Sequence, residues 1–163
     1  MVAPYAIADD ALLAQCDITS SSSHGPGGQH RNKTESAVRL RHKPTGLTSQ
    51  CEDHRERGRN RVDALKRLRV RLVVASRGSS DPAWMAPYRR GRQVALGAKA
   101  QEYHLVAACC LDALAAAGGS LADAARALAI SSTQLVKLLV ADKEIHQAAN
   151  AIRAAAGMGA VRG

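Results

Sequence analysis

Apolar side chains alternate with arginines over residues 37–42, the clearest short pattern in the chain. Val38 and Leu40 fall on one face of an extended segment, and Arg39 and Arg41 fall on the other. A period of two residues is typical of a strand with one buried face. The pattern therefore predicts a strand at residues 37–42 with its arginines directed away from the core.

Two further segments complete the predicted sheet. Residues 43–46 have the sequence Lys-Pro-Thr-Gly, which suits a type I turn with Pro44 at the second position and Gly46 in the left-handed region. Residues 47–51 then return as the partner strand, and the β-prone residues 16–21 supply a third strand. The sheet is predicted to be small and mostly antiparallel.

Apolar positions recur at helical spacing from Arg55 to about Val74. This helix is predicted to cover the sheet with Val62, Leu65, Leu68 and Leu72. Its remaining faces are basic, with Arg57, Arg59, Arg61, Lys66, Arg67, Arg69 and Arg71 predicted to point outward. A short helix with an acidic start is predicted over residues 9–15. The predicted fold class is α+β, a sheet packed by a long basic helix, followed by a small all-α module.

The composition changes after residue 76. Residues 77–92 have the composition of a linker, with the sequence Gly-Ser-Ser-Asp-Pro at residues 78–82. Residues 93–163 are alanine-rich, and Gly118, Ser120 and Asp142 mark predicted helix ends and starts. The predicted organisation is a first domain at 1–76, a linker at 77–92 and a helical module at 93–163.

Residues 124–135 resemble a helix-turn-helix. The second helix offers only Gln134 and Lys137 as polar contacts, and residues 120–156 carry four basic and three acidic residues. A net charge of about +1 is too small for sound contact with DNA phosphates. An ordinary turn in a helical bundle is therefore favoured, with an RNA- or ribosome-docking module as the next interpretation and a DNA-binding regulator as a third.

Positive charge is concentrated in one part of the chain. The whole chain has 23 Lys and Arg against 14 Asp and Glu, a formal charge of +9. Residues 31–80 contain 14 basic and 5 acidic residues, whereas residues 1–30 contain three acidic residues and no Lys or Arg. Such a concentrated field indicates a polyanionic partner, and RNA is the expected one. A solvated charged helix face is the alternative.

The cysteines do not have zinc-ligand spacing. Adjacent Cys109 and Cys110 are predicted to be small buried side chains, and Cys16 and Cys51 stand alone. We expect no metal site and no cofactor. The sequence contains no window of 18 or more apolar residues, and its first residues have no features of a targeting segment. With free thiols, these features predict a cytoplasmic protein with no membrane partner.

The most specific motif is a glycine-rich segment from His24 to Thr34, whose full sequence is His-Gly-Pro-Gly-Gly-Gln-His-Arg-Asn-Lys-Thr. Consecutive glycines let the backbone approach a ligand closely, because they carry no Cβ. The preceding Pro26 fixes its own φ. The glycines are followed by a glutamine and by a polar, basic run.

This segment resembles the catalytic loop of class-1 peptide chain release factors. The resemblance continues through residues 35–42, the Pro-Thr-Gly turn at 44–46 and residues 50–53, and it ends in the basic helix. It covers roughly the first half of the chain. The family has a small apolar residue where Arg31 stands here, which affects how the segment packs on its base.

The resemblance implies that Gly27, Gly28 and Gln29 are the catalytic residues and that the substrate is peptidyl-tRNA. Ribosomal RNA of the large subunit, at the peptidyl transferase centre, would supply the rest of the site and is the expected partner. A glutamine methyltransferase acting on Gln29 is a further implied partner, and the protein is expected to be a monomer. The predicted RNA-binding residues are His24, Gly25, Pro26, His30, Arg31, Asn32, Lys33, Thr34, Arg39, Arg41, Arg55, Arg57, Arg59, Arg61, Lys66 and Arg67.

Within this family, the chain resembles the short, codon-independent ribosome-rescue factors. At 163 residues it is expected to lack the domains that read a stop codon, and it ends without a Lys/Arg-rich tail. The predicted function is hydrolysis of the peptidyl-tRNA ester on stalled ribosomes or large subunits. The alternatives are a non-catalytic ribosome- or RNA-binding protein and, less favoured, a DNA-binding regulator.

Overall fold

A three-stranded antiparallel sheet is the central element of the first half of the chain. The computed structural model describes residues 2–21 and 35–163. The strands are β1 (Cys16–Ser21), β2 (Ala37–His42) and β3 (Thr48–Cys51), in the order β1-β2-β3. Leu40 of β2 lies opposite Ile18 on one side and Ser49 on the other. Gly46 has φ +74° between β2 and β3, as predicted for this turn.

One face of this sheet is buried and the other is exposed. Val38 and Leu40 are buried, whereas Arg39 and Arg41 are exposed, which confirms the alternation seen in the sequence. Ser49 and Cys51 of β3 lie on the buried face, where the Ser49 hydroxyl donates to the Ala64 carbonyl at 2.7 Å. The hydroxyl therefore links the sheet directly to the helix that covers it.

The covering helix is α2 (Arg57–Ala75). Leu65, Leu68 and Leu72 are buried as predicted, but Val62 is 52% exposed. The prediction for Val62 is wrong because the sheet-facing side of the helix is centred elsewhere, on positions that include Asn60 and Ala64, both fully buried. A small and a polar side chain at these positions weaken the apolar stripe on which the prediction relied.

Arg69 was also predicted to point outward, and this prediction is wrong. The residue is 5% exposed, and its guanidinium donates to the Tyr5 carbonyl at 2.7 Å and to the Asp9 carboxylate at 2.5 Å. Both acceptors belong to the N-terminal segment, which contains a 3-10 helix (Pro4–Ala6) and α1 (Asp9–Ala14). A buried charge needs such paired contacts, and this segment supplies them.

His42 is a buried histidine at the end of β2. Its imidazole nitrogens lie 2.8 Å from the Thr45 hydroxyl and 2.9 Å from the Gln15 side-chain oxygen, and it is 1% exposed. Burial lowers the pKa of His42 below its usual value of 6.5. The folded state therefore binds a proton at this position less readily than the unfolded chain does.

We expect this burial to make folding stability depend on pH. The His42 contribution should be complete above about pH 6.5 and should be lost as the pH falls below that value, because the unfolded chain gains the proton first. Urea unfolding of the unaltered protein and of His42→Gln at about pH 7.5 and 5.5 would test this. A His42→Gln protein whose stability falls as steeply with pH as that of the unaltered protein would contradict the assignment.

The chain divides into two compact units, residues 4–72 and residues 73–163 with the first three residues. Within the parts that the structure describes, the second unit contains a short hairpin, β4 (Arg89–Arg90) and β5 (Gln93–Val94). Its α-helices are α3 (Tyr103–Ala116), α4 (Leu121–Ala127), α5 (Ser132–Val140) and α6 (Lys143–Ala155). The α+β fold class, with a helical region after the sheet and basic helix, is therefore confirmed.

The helix boundaries of the second unit follow the predicted signals. Ser120 accepts a hydrogen bond from the backbone N–H of Asp123, and Asp142 accepts from the N–H groups of the first turn of α6. Gly118 and Gly119 have φ +59° and +85° after α3, which ends there as predicted. Because these caps satisfy backbone groups that have no partner within the helix, the short helices begin and end at defined residues.

The central helix of the second unit is α3. Cys109 and Cys110 lie within it and are 2% and 0% exposed, as expected for small buried side chains. Burial raises the pKa of the Cys109 thiol to about 11. Elsewhere on α3, the Asp112 carboxylate accepts hydrogen bonds from the backbone N–H groups of Gly78 and Ser80 at 2.7 and 3.0 Å. These bonds hold the chain just after residue 77 against α3.

Residues 77–92 contain a 3-10 helix (Pro82–Tyr88), whose Met85 is fully buried, and strand β4. The predicted domain boundaries, with a linker at residues 77–92, stay a prediction.

In the helix-turn-helix segment, Gln134 was expected to be an available polar contact. That expectation is wrong, because Gln134 is buried at 8% exposure. No helix within residues 2–21 and 35–163 is both long enough and apolar enough to cross a membrane.

Candidate nucleic-acid interface

The predicted catalytic residues Gly27, Gly28 and Gln29 lie outside the described residues, as do the predicted RNA contacts His24, Gly25, Pro26 and residues 30–34. The structure does describe the residues that flank them. Ser21 at the end of β1 is paired with Ala37 at the start of β2. The two strands therefore hold the residues on either side of the segment next to each other, at one end of the sheet.

Asn60 of α2 stabilises the second of these flanks. Its side-chain NH2 group donates to the carbonyls of Ser36 and His54, each at 2.7 Å. Its side-chain oxygen accepts from the His54 N–H at 2.9 Å and from the Cys51 thiol at 3.4 Å. Asn60 is fully buried, so it joins the helix, the residue before β2 and the chain after β3 in one network.

The exposed basic residues of the first unit cluster at the start of α2. Arg55, Arg57, Arg59 and Arg61 are exposed. Among the described residues, no ion pair involves Arg55, Arg57 or Arg61, and Arg59 lies 4.0 Å from Glu56 across the helix surface. An exposed pair at that distance contributes little. This cluster leaves its positive charge available to an external anion.

Two of these arginines also line a surface depression of about 460 Å³. Arg57 and Arg61 form one side, and Ile18 and Val38 of the sheet form the other. Ile18 is 37% exposed because β1 is an edge strand. The depression therefore combines an apolar wall with two cations, which could contact an anion such as a phosphate group.

The later basic residues of α2 are bound to the protein itself. Arg67 donates to the Gln50 carbonyl at 2.6 Å and to the Asp53 carboxylate at 2.5 Å. Arg71 donates to the Thr48 carbonyl, and Lys66 lies 4.0 Å from Asp63. The two arginine contacts hold strand β3 against the helix, and the Lys66 pair lies within the helix. The positive surface of α2 is therefore strongest at its beginning.

The remaining predicted contacts lie on another surface. Arg39 and Arg41 are on the exposed face of β2, opposite the face that α2 covers. The Arg41 guanidinium lies 3.7 Å from the Asp17 carboxylate, and both side chains are more than half exposed. The structure therefore separates the predicted RNA-binding residues into one group at the start of α2 and one on the outer face of the sheet.

The described histidines and carboxylates of the first unit mostly pair with neighbouring side chains. His54 lies 2.8 Å from Asp63 in a half-buried pair, and Asp53 is bound to Arg67. No group of three or more His, Cys, Asp or Glu in these residues could hold a metal ion. The arrangement can bind a polyanion and can hold the two flanks of the glycine-rich segment in place.

Comparison with known proteins identifies the family. The model of the RF-1 domain matches residues 11–105, more than half of the chain. The matched region includes the glycine-rich segment, the three-stranded sheet and α2. The chain therefore belongs to the RF-1 domain family, and the resemblance to class-1 release factors is confirmed.

Its relatives carry the names of release factors. The chain is 44% identical over 73 residues to peptide chain release factor 2 of Buchnera aphidicola, an alignment that covers 42% of this chain and 20% of the relative. It is 45% identical over 73 residues to peptide chain release factor 1 of Brachyspira hyodysenteriae, covering 44% and 20%. A third relative, release factor 1 of Caldicellulosiruptor saccharolyticus, is 54% identical over 56 residues. The chain thus spans about one fifth or less of the length of these relatives.

Proposed function

We propose that this protein promotes hydrolysis of the ester of peptidyl-tRNA on the ribosome and releases the nascent peptide without reading a stop codon. The observation that carries the proposal is the family match across residues 11–105, which includes Gly27, Gly28 and Gln29 together with the basic start of α2. The target would be a stalled ribosome or a large subunit that still holds peptidyl-tRNA.

In this proposal the protein positions water and stabilises charge but does not act as a base. A neutral amide has no usable basicity, so Gln29 cannot remove a proton. Its backbone N–H would donate to the oxyanion that forms on the ester carbonyl, and its side chain would orient the attacking water. Gly27 and Gly28 permit the close approach that this requires. Large-subunit ribosomal RNA at the peptidyl transferase centre would complete the site, with no cofactor or metal.

The codon-independent part of the proposal is supported by where the similarity to release factors lies. The alignments with the release factors named above cover 73 residues or fewer of this chain. The family match ends at residue 105, and α4, α5 and α6 follow it. In this proposal, the helical unit that follows the matched segment takes no part in reading a codon. We further propose that the protein acts as a monomer in the cytoplasm and that a glutamine methyltransferase modifies Gln29.

Release from defined ribosomal complexes would test the function. Purified protein should release labelled peptide from stalled ribosomes whose empty decoding site contains no stop codon, and the rate should not rise when a stop codon is supplied. Release only in the presence of a stop codon would contradict codon independence. Binding without release from any of the complexes would instead support a non-catalytic RNA-binding protein.

The exposed arginines at the start of α2 should supply affinity and not bond breaking. Replacing Arg57, Arg59 and Arg61 with alanine should weaken binding to the large subunit and reduce the slope of log K against log salt by roughly two to three units, because each lost phosphate contact removes about one unit. The release rate at saturating protein should stay within about twofold of normal. Salt-dependent binding and single-turnover release would measure both quantities.

The matched control is a lysine variant, which keeps the positive charge at the same three positions. Replacing Arg57, Arg59 and Arg61 with lysine should restore most of the salt slope, since lysine also neutralises phosphate, though without the bidentate geometry. A large loss of saturated release rate with unchanged binding would show that this end of α2 orients the catalytic segment, which contradicts the proposed division of roles.

A further inference from the structure

The second unit carries a basic hairpin that the proposed function does not use. We define the basic hairpin as residues 89–94, in which β4 and β5 pair through Arg89 with Val94 and Arg90 with Gln93. Gly91 has φ +58° in the two-residue turn, a position where the left-handed region favours glycine. Arginine occupies three of the first four positions of this hairpin.

So short a hairpin is not stable alone and needs support from its surroundings. One contact extends its ladder, and two others attach it to the surrounding chain. The Ala95 N–H donates to the Tyr88 carbonyl at 2.7 Å, the Arg89 guanidinium donates to the Ala129 carbonyl at 2.9 Å, and the Ser131 N–H donates to the Arg92 carbonyl at 3.0 Å. The last two contacts attach the basic hairpin to the turn between α4 and α5, so the hairpin backbone has a defined position in this unit.

A groove of about 390 Å³ lies between the basic hairpin and this turn. Arg92 lines it from the hairpin, Arg126 lines it from α4, and Ser132 lines it at the start of α5. The other lining residues are Ala122, Ala125, Ala129 and Ile130. Alanine and serine side chains make up most of the lining, with buried Ile130 beside them, and cations from two separate elements reach the groove.

The charge around this groove is poorly compensated. Residues 82–101 contain four basic residues and no acidic residue. In the part of the chain that the structure describes, no carboxylate forms an ion pair with Arg89, Arg90 or Arg92. Arg126 lies 2.8 Å from Asp123, but both side chains are more than half exposed, so water and salt screen the pair strongly. The positive field of the groove is therefore open to an external anion.

We propose that the basic hairpin and the groove beside it form a second RNA-binding surface, which contacts the phosphate backbone of ribosomal RNA. Guanidinium groups match phosphate oxygens in a bidentate geometry. The alanine-lined groove offers no aromatic anchor of the kind that dominates protein–protein contacts, and it offers few groups that could read bases. The contact should therefore be electrostatic and independent of RNA sequence. The choice of RNA as partner rests on the proposed function.

A charge-matched pair of variants tests the surface. Arg90→Ala/Arg92→Ala/Arg126→Ala removes the two cations that line the groove and the exposed hairpin cation Arg90. Arg77→Ala/Lys143→Ala/Arg162→Ala removes three exposed cations of the same unit that lie outside both the hairpin and the groove lining. The probes are labelled single-stranded RNA of random sequence and purified large ribosomal subunits. The groove variant should bind both about tenfold more weakly at low salt, with a salt slope for the single-stranded RNA reduced by about two units. The control should stay within about threefold of the unaltered protein.

Equal losses in the two variants, or no loss in the groove variant, would overturn the proposal. Retained RNA binding together with lost binding to duplex DNA or to anionic lipid vesicles would also overturn it and would assign the surface to that other partner. A version with lysine at positions 90, 92 and 126 should keep most of the affinity, which separates lost charge from a damaged fold.

The outcome is distinguishable from failure of the proposed function, because RNA binding is measured without hydrolysis. If the groove variant binds weakly while the unaltered protein releases no peptide, the second surface stands and the hydrolase assignment fails. If release is normal and the groove variant binds as tightly as the unaltered protein, the hydrolase assignment stands and the second surface fails.

Discussion

We expect Gly28→Ala and Gln29→Ala each to slow peptide release at saturating protein by at least about a hundredfold, the scale of losing a donor to an oxyanion. A Cβ at position 28 would obstruct the close backbone approach, and loss of the Gln29 side chain would remove the group that orients water. Affinity for the ribosome should change by less than about threefold, because the cations at the start of α2 are unaltered. Single-turnover release and a separate binding assay would measure the two effects.

Gly97→Ala is the matched control for a glycine substitution. Its backbone lies outside the left-handed region, and a Cβ built there would meet no atom within 4 Å. It should therefore release peptide at the normal rate. Full activity of both the Gly28 and Gln29 variants would show that the catalytic assignment is wrong, even though the chain belongs to the RF-1 domain family.

The second large effect should come from Asn60→Ala. This change leaves the Ser36 and His54 carbonyls and the His54 N–H without the partners that Asn60 gives them. Unsatisfied buried groups cost roughly 1–3 kcal/mol each, so with partial relaxation we expect the unit of residues 4–72 to lose about 3 kcal/mol of its free energy of unfolding. Urea titration read by hydrogen exchange of peptides from residues 37–51 would report on this unit alone.

Two comparisons make this result specific. Arg59→Ala, on the exposed surface of the same helix, should change the stability by less than about 0.5 kcal/mol. Asn60→Asp should be at least as damaging as Asn60→Ala, because a carboxylate would face the two carbonyls to which the Asn60 NH2 group donates. A loss below about 1 kcal/mol for Asn60→Ala would mean that the network around it has other support.

The sheet and most helix ends could be predicted because local chemistry determines them. The alternation around Leu40, the Pro-Thr-Gly turn and the Ser120 and Asp142 caps each specify a conformation over a few residues. The buried side of α2 could not be predicted as well. Asn60 looks like one more polar residue in a basic run, and Arg69 looks like one more exposed cation, because their partners lie far away in the sequence.

The glycine-rich segment could be predicted from the sequence better than the basic surface of α2 could. The glycine-rich segment was found by its motif, whereas Arg57 and Arg67 look equivalent in the sequence and differ in the structure. Arg67 is bound to the end of β3, and Arg57 faces the depression beside Val38. The basic hairpin was not recognised because two-residue strands leave no periodic pattern and their supports, such as the Ala129 carbonyl, come from a distant turn.

The contact of Arg69 with Tyr5 and Asp9 has a consequence for the order in which the protein is made. Synthesis proceeds from the N-terminus, so residues 5 and 9 leave the ribosome long before the guanidinium that anchors them, 64 and 60 residues further along. Until the guanidinium has emerged, neither of these two contacts can form. The first unit, which ends at residue 72, can therefore complete its Arg69–Asp9 ion pair only after nearly all of it has left the ribosome.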